Sequence, residues 1–279
     1  MLHPKAPPEN DAAAKMQRAR GSGRVVTKVH QGQTRLAELY QEGCAKIRLP
    51  KTHAVAIEAV LINTSGGLTG GDNISWEAVA APGARVVLTT QACERIYKSS
   101  GGDAFIRNRL KIEAGAHVDW LPQETILFEE ARLNRSLEVD LADGASFTGI
   151  EAMLLGREAM GESARSAILS DNWRIRRNGK LIHAEANRLS ASDLERDALS
   201  LLAGNNAFAT IVHIAENAEQ RLNAVRALIP ADAKAAVSAI GERLIVRVLA
   251  PSGLALRRII TPIIAHLSGA GVLPRLWLT

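Results

Sequence analysis

Apolar and polar residues alternate with a period of two along much of the chain, which is the mark of strands buried on one face. Residues 24–29 read as a short strand, 34–40 carry this pattern in part, and Gln41 to Cys44 reads as a turn. Ala45-Lys46-Ile47-Arg48-Leu49 alternates cleanly until Pro50, which cannot donate to a sheet ladder. An apolar, β-prone run at 55–62 and an extended run at 74–80 flank Asn63-Thr64-Ser65-Gly66-Gly67-Leu68-Thr69-Gly70-Gly71-Asp72. Four glycines in six positions predict a tight, multi-turn corner between two strands, with Asn63, Thr64, Ser65 and Asp72 placed to cap its turns. The corner does not fit a phosphate loop. It has no Lys and no G-x-G-x-x-G spacing, and a strand rather than a helix follows it.

Beyond the corner a unit recurs: an alternating strand, a Gly-Ala turn, then another strand. The Gly-Ala pairs are Gly83-Ala84, Gly115-Ala116 and Gly144-Ala145, a spacing of roughly 30 residues. That period is too short for separate domains, and no regular crossover helices separate the strands. It predicts a mainly β fold of stacked β-layers, a β-helix-like sandwich in which each layer needs its neighbour to bury a face. Polar segments follow the turns at related places, at 89–99, 121–129 and 156–162, and stacking would line them along one side.

Further on, Asn178-Gly179 centres a hairpin over 171–182. The texture then changes. Residues 193–202 read as a helix capped by Ser192 or Asp193, and 218–228 as an amphipathic helix stopped before Pro230. Strands are predicted at 208–214 and 244–250, and a helix broken by Pro262 over 254–267. The closing residues 272–277 are too apolar for an idle tail. The small α-helical portion thus lies mainly around residues 193–229, within one β-rich domain spanning residues 23–279.

Charge adds a leader. Of a net +5, residues 1–28 contribute +4, from Lys5, Lys15, Arg18, Arg20, Arg24 and Lys28 against Glu9 and Asp11. Residues 1–22 read as a flexible basic tail, with neither the apolar core of a secretory signal nor the aromatics of a membrane anchor. No stretch is long and apolar enough to span a membrane. Aromatic content of 4 % argues against a base-stacking surface, and the basic hairpin Arg174, Arg176, Arg177 and Lys180 suits a protein interface better than a nucleic acid. Two cysteines, Cys44 and Cys93, without a CxxC pair, point to a reducing, cytoplasmic setting.

Candidate chemistry is sparse. The chain has no G-x-S-x-G elbow and no H-E-x-x-H, and its seven histidines lack ligand spacing. We therefore expect no enzyme and no tightly bound cofactor. Carboxylates, imidazoles and a thiol lining a cavity would still suit a metal in transit, and Cys93, Glu94, His117 and Glu124 head that set, with Asp119, Gln123 and Glu162 beside them. The ordinary reading of the acids is a solvated or paired surface, and of His117 polar filling.

Three long motifs carry a resemblance. The glycine corner, Thr89-Thr90-Gln91-Ala92-Cys93-Glu94-Arg95-Ile96-Tyr97-Lys98 and Trp120-Leu121-Pro122-Gln123-Glu124-Thr125-Ile126-Leu127-Phe128 resemble the UreD (UreH) family of urease accessory proteins. Gly156-Arg157-Glu158-Ala159-Met160-Gly161-Glu162, the segment from Trp173 to Leu181, and Pro274-Arg275-Leu276-Trp277 extend the likeness from about Gly23 to the end. The resemblance implies a β-rich, non-catalytic maturation scaffold. It would contact the urease apoprotein and recruit UreF, which bridges to the GTPase UreG, so that GTP is bound by the partner only and nickel reaches the urease active site. It also implies an internal route for nickel, without naming its residues. Where the family often has Ala-Ala-Glu, this chain has Ala92-Cys93-Glu94; a thiol is a soft ligand able to touch nickel, and equally a small buried hydrophobe. Two alternatives stand beside this one: a stand-alone nickel metallochaperone, and a β-solenoid hydrolase using paired carboxylates such as Glu94 and Glu124.

Overall fold

A computed structural model describes residues 17–51, 54–157, 160–162, 164–190, 197–269 and 273–278. The three repeats predicted from the Gly-Ala spacing are three rungs of a solenoid. The first runs β5 (Asn73–Ala80), β6 (Arg85–Thr90) and β7 (Glu94–Ile96). The second runs β8 (Ala104–Ile112), β9 (His117–Leu121) and β10 (Thr125–Leu127), and the third β11 (Arg132–Leu141) and β12 (Ser146–Leu155). Each strand pairs in parallel with its counterpart one rung away: β5 with β8, β8 with β11, β6 with β9 and β9 with β12. The polar segments at 89–99 and 121–129 stack as expected, with β7 parallel to β10. β10 also pairs with the end of β12, and Gly156 N–H, at the start of the third segment, donates to Leu127 O at 2.8 Å.

At each corner a glycine takes a left-handed conformation, Gly83 at φ 70°, Gly115 at 64° and Gly144 at 64°. The following alanines, Ala84, Ala116 and Ala145, are buried. The corners bond to one another: Gly83 N–H donates to Ala114 O, His117 N–H to Ala84 O and Ser146 N–H to Ala116 O, all at 2.8–3.0 Å. A Cβ at 115 would meet no atom within 4 Å, so only backbone strain forbids a side chain there.

Two sheets flank this stack. The first continues through β1 (Arg20–His30), parallel to β5, and β13 (Ile168–Arg177), parallel to β11. Its edges are β2 (Gln33–Gly43) and β14 (Lys180–Leu189), both antiparallel, giving the order β14-β13-β11-β8-β5-β1-β2. The predicted Asn178-Gly179 turn joins β13 to β14, with both residues at positive φ. The second sheet adds β3 (Ala45–Arg48) and β4 (Ile57–Asn63) on one side. On the other it adds β15 (Ala207–Ile214), β17 (Arg243–Ala250) and β16 (Lys234–Ile240). One core fills the space between the sheets and includes Trp76, Leu88, Trp120, Leu137, Phe147 and Trp173. A second lies between the outer face of the second sheet and the helices.

Several expectations are corrected. Residues 41–43 continue β2 rather than turning, and the turn falls at Cys44. Of the predicted helix at 193–202, residues 193–196 lie outside the described residues, and 197–204 form turns with Ala203 at φ 48°. The helical portion instead consists mainly of α1 (Leu222–Leu228) and α2 (Gly253–Leu267). Pro262 does not break α2, because Leu256, Ile259, Ile260, Ile263, Ile264 and Leu267 are all buried on its apolar face. At about 1.5–3 kcal/mol for each buried side chain, that face outweighs the roughly 3 kcal/mol cost of an internal proline. The edge strand β16 was not anticipated; its alanine-rich sequence carries little alternation. Of the stretch read as a leader, residues 1–16 lie outside the described residues, while β1 begins at Arg20.

Gly115→Ala is expected to lower stability by about 1–2 kcal/mol through its left-handed backbone, lowering Tm by about 2–4 °C in calorimetry.

Candidate functional site

Strand parity decides which face each side chain takes. On β11, Leu133, Leu137, Val139 and Leu141 are buried, and Arg135 sits among them on the interior side, only 3 % exposed. Its guanidinium grips Asp171 of β13 with two bonds, Nε to Oδ1 at 3.0 Å and Nη2 to Oδ2 at 2.9 Å. It also crosses the interior: Nη1 donates to Thr125 Oγ1 at 3.1 Å and lies 2.5 Å from Glu151 Oε2 on the second sheet. That last contact is close but poorly directed, an ion pair rather than a hydrogen bond. Trp120 Nε1 donates to the other Glu151 oxygen at 2.9 Å. One guanidinium thus stands between two buried carboxylates. Burial raises the Glu151 carboxyl to about 7, against the pull of Arg135 and with Asp171 adding to the rise. Arg135 stays charged: desolvation opposes the charge, but Asp171 and Glu151 more than offset it.

Glu94 extends this polar interior. It shares the inward face of β7 with buried Ile96 and feels the charge of Arg135. Asn63 Nδ2, at the start of the glycine corner, lies 3.0 and 3.2 Å from its two oxygens. Burial lifts the carboxyl to about 7 despite the bond from Asn63. A cavity of about 340 Å³ is lined by Asn63, Gly67, Trp76, Cys93 and Glu94. Gly67 is required there, since a Cβ would come within 2.4 Å of the Tyr97 ring. In register with Trp76 on the next rung is Asn108, whose buried amide has no protein partner on either atom. The glycine corner therefore builds the mouth of a carboxylate-bearing cavity.

The structure separates the residues singled out in the sequence. Cys93 and Glu124 meet, Sγ to Oε2 at 3.5 Å, but against the helix layer. There Arg257 of α2 binds both Glu124 oxygens at 3.1 and 3.2 Å, Gln123 Oε1 at 2.9 Å and Leu276 O at 2.6 Å. Its guanidinium lies 4.7 Å from the ring centre of Trp277, whose Nε1 donates to Leu121 O at 2.9 Å. Burial, with Glu124 close by, pushes the Cys93 thiol up to about 11, so it is protonated near neutral pH. His117 and Asp119 lie at the other end of β9. Asp119 takes His117 Nε2–H at 2.8 Å and Ser268 O–H at 2.7 Å, and Ser146 Oγ lies 2.7 Å from His117 Nδ1. Burial works to raise the Asp119 carboxyl, but His117, Ser268 and the Gly269 amide hold it below the usual range. Glu162 is tied to Arg157 and to the amide of Glu129.

Among the described residues no group of three or more His, Cys, Asp or Glu side chains is arranged to hold a metal ion. Glu94 and Glu124 have different partners, Asn63 and Arg257, and do not form the facing acid pair of a hydrolase cleft. Sequence reasoning missed Arg135, Glu151 and Asp171. The available signal was a charged residue on the apolar phase of an alternating strand, as in Leu133-Asn134-Arg135-Ser136-Leu137.

Two outcomes are expected. Arg135→Met leaves Glu151 and Asp171 buried without their cation and should cost about 3–5 kcal/mol in urea unfolding. A folded pKa raised above the unfolded one means that Glu94 costs stability as pH climbs past the unfolded value and through the folded one. Glu94→Gln, which cannot ionise, should therefore gain on the wild type between about pH 5 and pH 8 in the same assay.

Residues 19–278 match the family described as UreD urease accessory protein. The chain is 63 % identical over 269 residues to urease accessory protein UreD of Chelativorans sp. strain BNC1, covering 96 % of this chain and 97 % of that protein. It is 48 % identical over 275 residues to the UreD of Sinorhizobium medicae, covering 96 % and 99 %. Against the UreD of Agrobacterium fabrum it is 48 % identical over 264 residues, covering 94 % and 92 %. No helix among the described residues is long and apolar enough to cross a membrane. A solenoid carrying the glycine corner and the motifs at 89–98 and 120–128 in one continuous match is a member of the UreD family of urease accessory proteins, whose role is urease maturation.

Proposed function

We propose that this chain is a non-catalytic scaffold that joins UreF, and through it the GTPase UreG, to the urease apoprotein for insertion of nickel. The single observation that carries the nickel part is the cavity at the glycine corner, with Glu94 in its wall and the Arg135, Glu151 and Asp171 cluster sharing the same interior. A carboxylate whose pKa lies near 7 is part-ionised at neutral pH, so it can attract a divalent cation and release it again. Cys93 lines the same cavity but is protonated, which makes it a weak ligand. Glu124 is engaged by Arg257 and His117 faces another cluster, so neither belongs to this route as we read it.

The mechanism is positional. Holding a metal donor and an acceptor enzyme on one body raises the effective concentration of nickel at the acceptor, and transfer no longer depends on free metal. GTP hydrolysis falls to the partner, because the chain has no G-x-x-x-x-G-K-[S/T] sequence.

Co-expression of urease subunits with the other accessory factors, with and without this chain, is the test. Nickel per active site and urease activity should rise together only when the chain is present, with UreF co-purifying. Equal loading without it, and no recovery of UreF, would overturn the scaffold reading. Glu94→Gln should lower nickel loading while UreF still co-purifies, and Cys93→Ala should leave loading unchanged. Normal loading with Glu94→Gln would remove the cavity from the route and leave the scaffold intact.

A further inference from the structure

A second, smaller cavity lies on the helix side of the second sheet, away from the carboxylate-bearing interior. Its volume is about 150 Å³, room for a few waters at roughly 30 Å³ each, and it is lined by Arg85, His117, Ser146, His213, Arg221 and Gly269, among others. The stacked rungs supply one wall, since Arg85, His117 and Ser146 occupy the same register on β6, β9 and β12.

The charges here are cationic. Arg85 spends one nitrogen on Gly115 O at 3.1 Å, and Arg221 one on His266 O at 2.8 Å. The Arg221 Nε is buried without a protein partner. The nearby carboxylate, Asp119, is occupied by His117, Ser268 and the Gly269 amide. A metal cation would face two guanidinium groups with no carboxylate to spare, whereas an anion would meet two fixed donors.

His213 adds specificity. It is 2 % exposed, and its Nε2 has no protein partner. The Thr148 hydroxyl lies 3.2 Å from Leu267 O and 3.0 Å from His213 Nδ1. A hydroxyl has one proton to give. Thr148 gives it to the Leu267 carbonyl, which can only accept, so His213 Nδ1 carries a proton and donates to Thr148. In the neutral ring Nε2 is then a bare lone pair. Burial and the charge of Arg221 lower the His213 pKa to about 3, which keeps the ring neutral.

We infer that this cavity binds a small oxyanion that retains a proton, its charged oxygens on Arg85 and Arg221 and its O–H donated to His213 Nε2. Hydrogencarbonate and protonated phosphate both have that chemistry; sulfate has a comparable size and a larger negative charge but no proton, so charge alone would favour it.

The test titrates the full chain by calorimetry with hydrogencarbonate, with inorganic phosphate below its second ionisation, and with sulfate. One equivalent of at least one protonated oxyanion should bind, and sulfate should bind about fivefold more weakly or worse. Tighter binding of hydrogencarbonate would name a trigonal ligand, and of phosphate a tetrahedral one. Arg221→Gln, and separately Arg85→Gln, should each weaken binding about tenfold. His213→Phe should abolish the preference over sulfate. Three results would overturn the assignment: no saturable binding by either protonated anion, sulfate binding equally well, or undiminished binding in whichever arginine variant keeps the wild-type unfolding midpoint.

Discussion

The parallel backbone ladder between rungs is the constraint on which the rest of the molecule depends. Adjacent Gly-Ala corners are tied by backbone hydrogen bonds, Gly83 N–H to Ala114 O and Ser146 N–H to Ala116 O. A lone rung would leave those groups unsatisfied and its apolar face in water, so the rungs are stable only as a stack. The left-handed glycine at each corner permits the tight return, and the buried alanine after it lets corners approach closely. Because the ladder is in register, equivalent positions fall into files across rungs. Trp76, Asn108, Leu137 and Trp173 form one, and Arg85, His117 and Ser146 another. Neither cavity would exist without those files.

Parity then divides the chemistry between the two faces of the second sheet. Glu151 and Trp120 point between the sheets and meet Arg135 and Thr125 there. Thr148, His117 and Asp119 point the other way and meet α2 and the residues after it. The two faces differ in electrostatics. The interior has more carboxylates than cations, and burial brings Glu94 and Glu151 up to about 7. The outer face pairs its buried acids, Asp119 with His117 and Ser268 and Glu124 with Arg257, and leaves guanidinium groups over. Coulomb energy scales inversely with dielectric, so at these buried positions the difference in sign is felt far more than it would be in water.

The C-terminal segment closes the outer layer through one side chain. Arg257 binds Glu124, Gln123 and Leu276 O and lies over Trp277, which itself bonds to the end of β9. Burying Glu124 without a cation would cost several kcal/mol, so the helix layer and the polar segment after β9 stabilise each other. The two segments that Arg257 joins, Trp120 to Phe128 and Pro274 to Trp277, are motifs that carried the family resemblance, although they lie some 150 residues apart in the chain.

Local rules determined much of this protein. Alternation, the glycine corner, the Gly-Ala period and Asn178-Gly179 specify strands, corners and a hairpin from near neighbours, and the stacked β-layers follow from their repetition. The family was legible for the same reason, as long motifs in order. The chemistry was less so. Cys93 and Glu94 are adjacent in sequence, yet one meets Glu124 beside the helix layer and the other meets Asn63 and the interior. The grouping of Arg135 with Glu151 and Asp171, and of Arg221 with His213, comes from side chains brought together across rungs, sheets or the helix layer. Propensity mispredicted residues 197–202 as helix and gave no sign of β16, and burial kept α2 whole across Pro262. Periodicity records which face a residue prefers, because water is the common reference for every position; it does not record which residue waits on the other side, because that partner is set by packing between segments far apart in the chain.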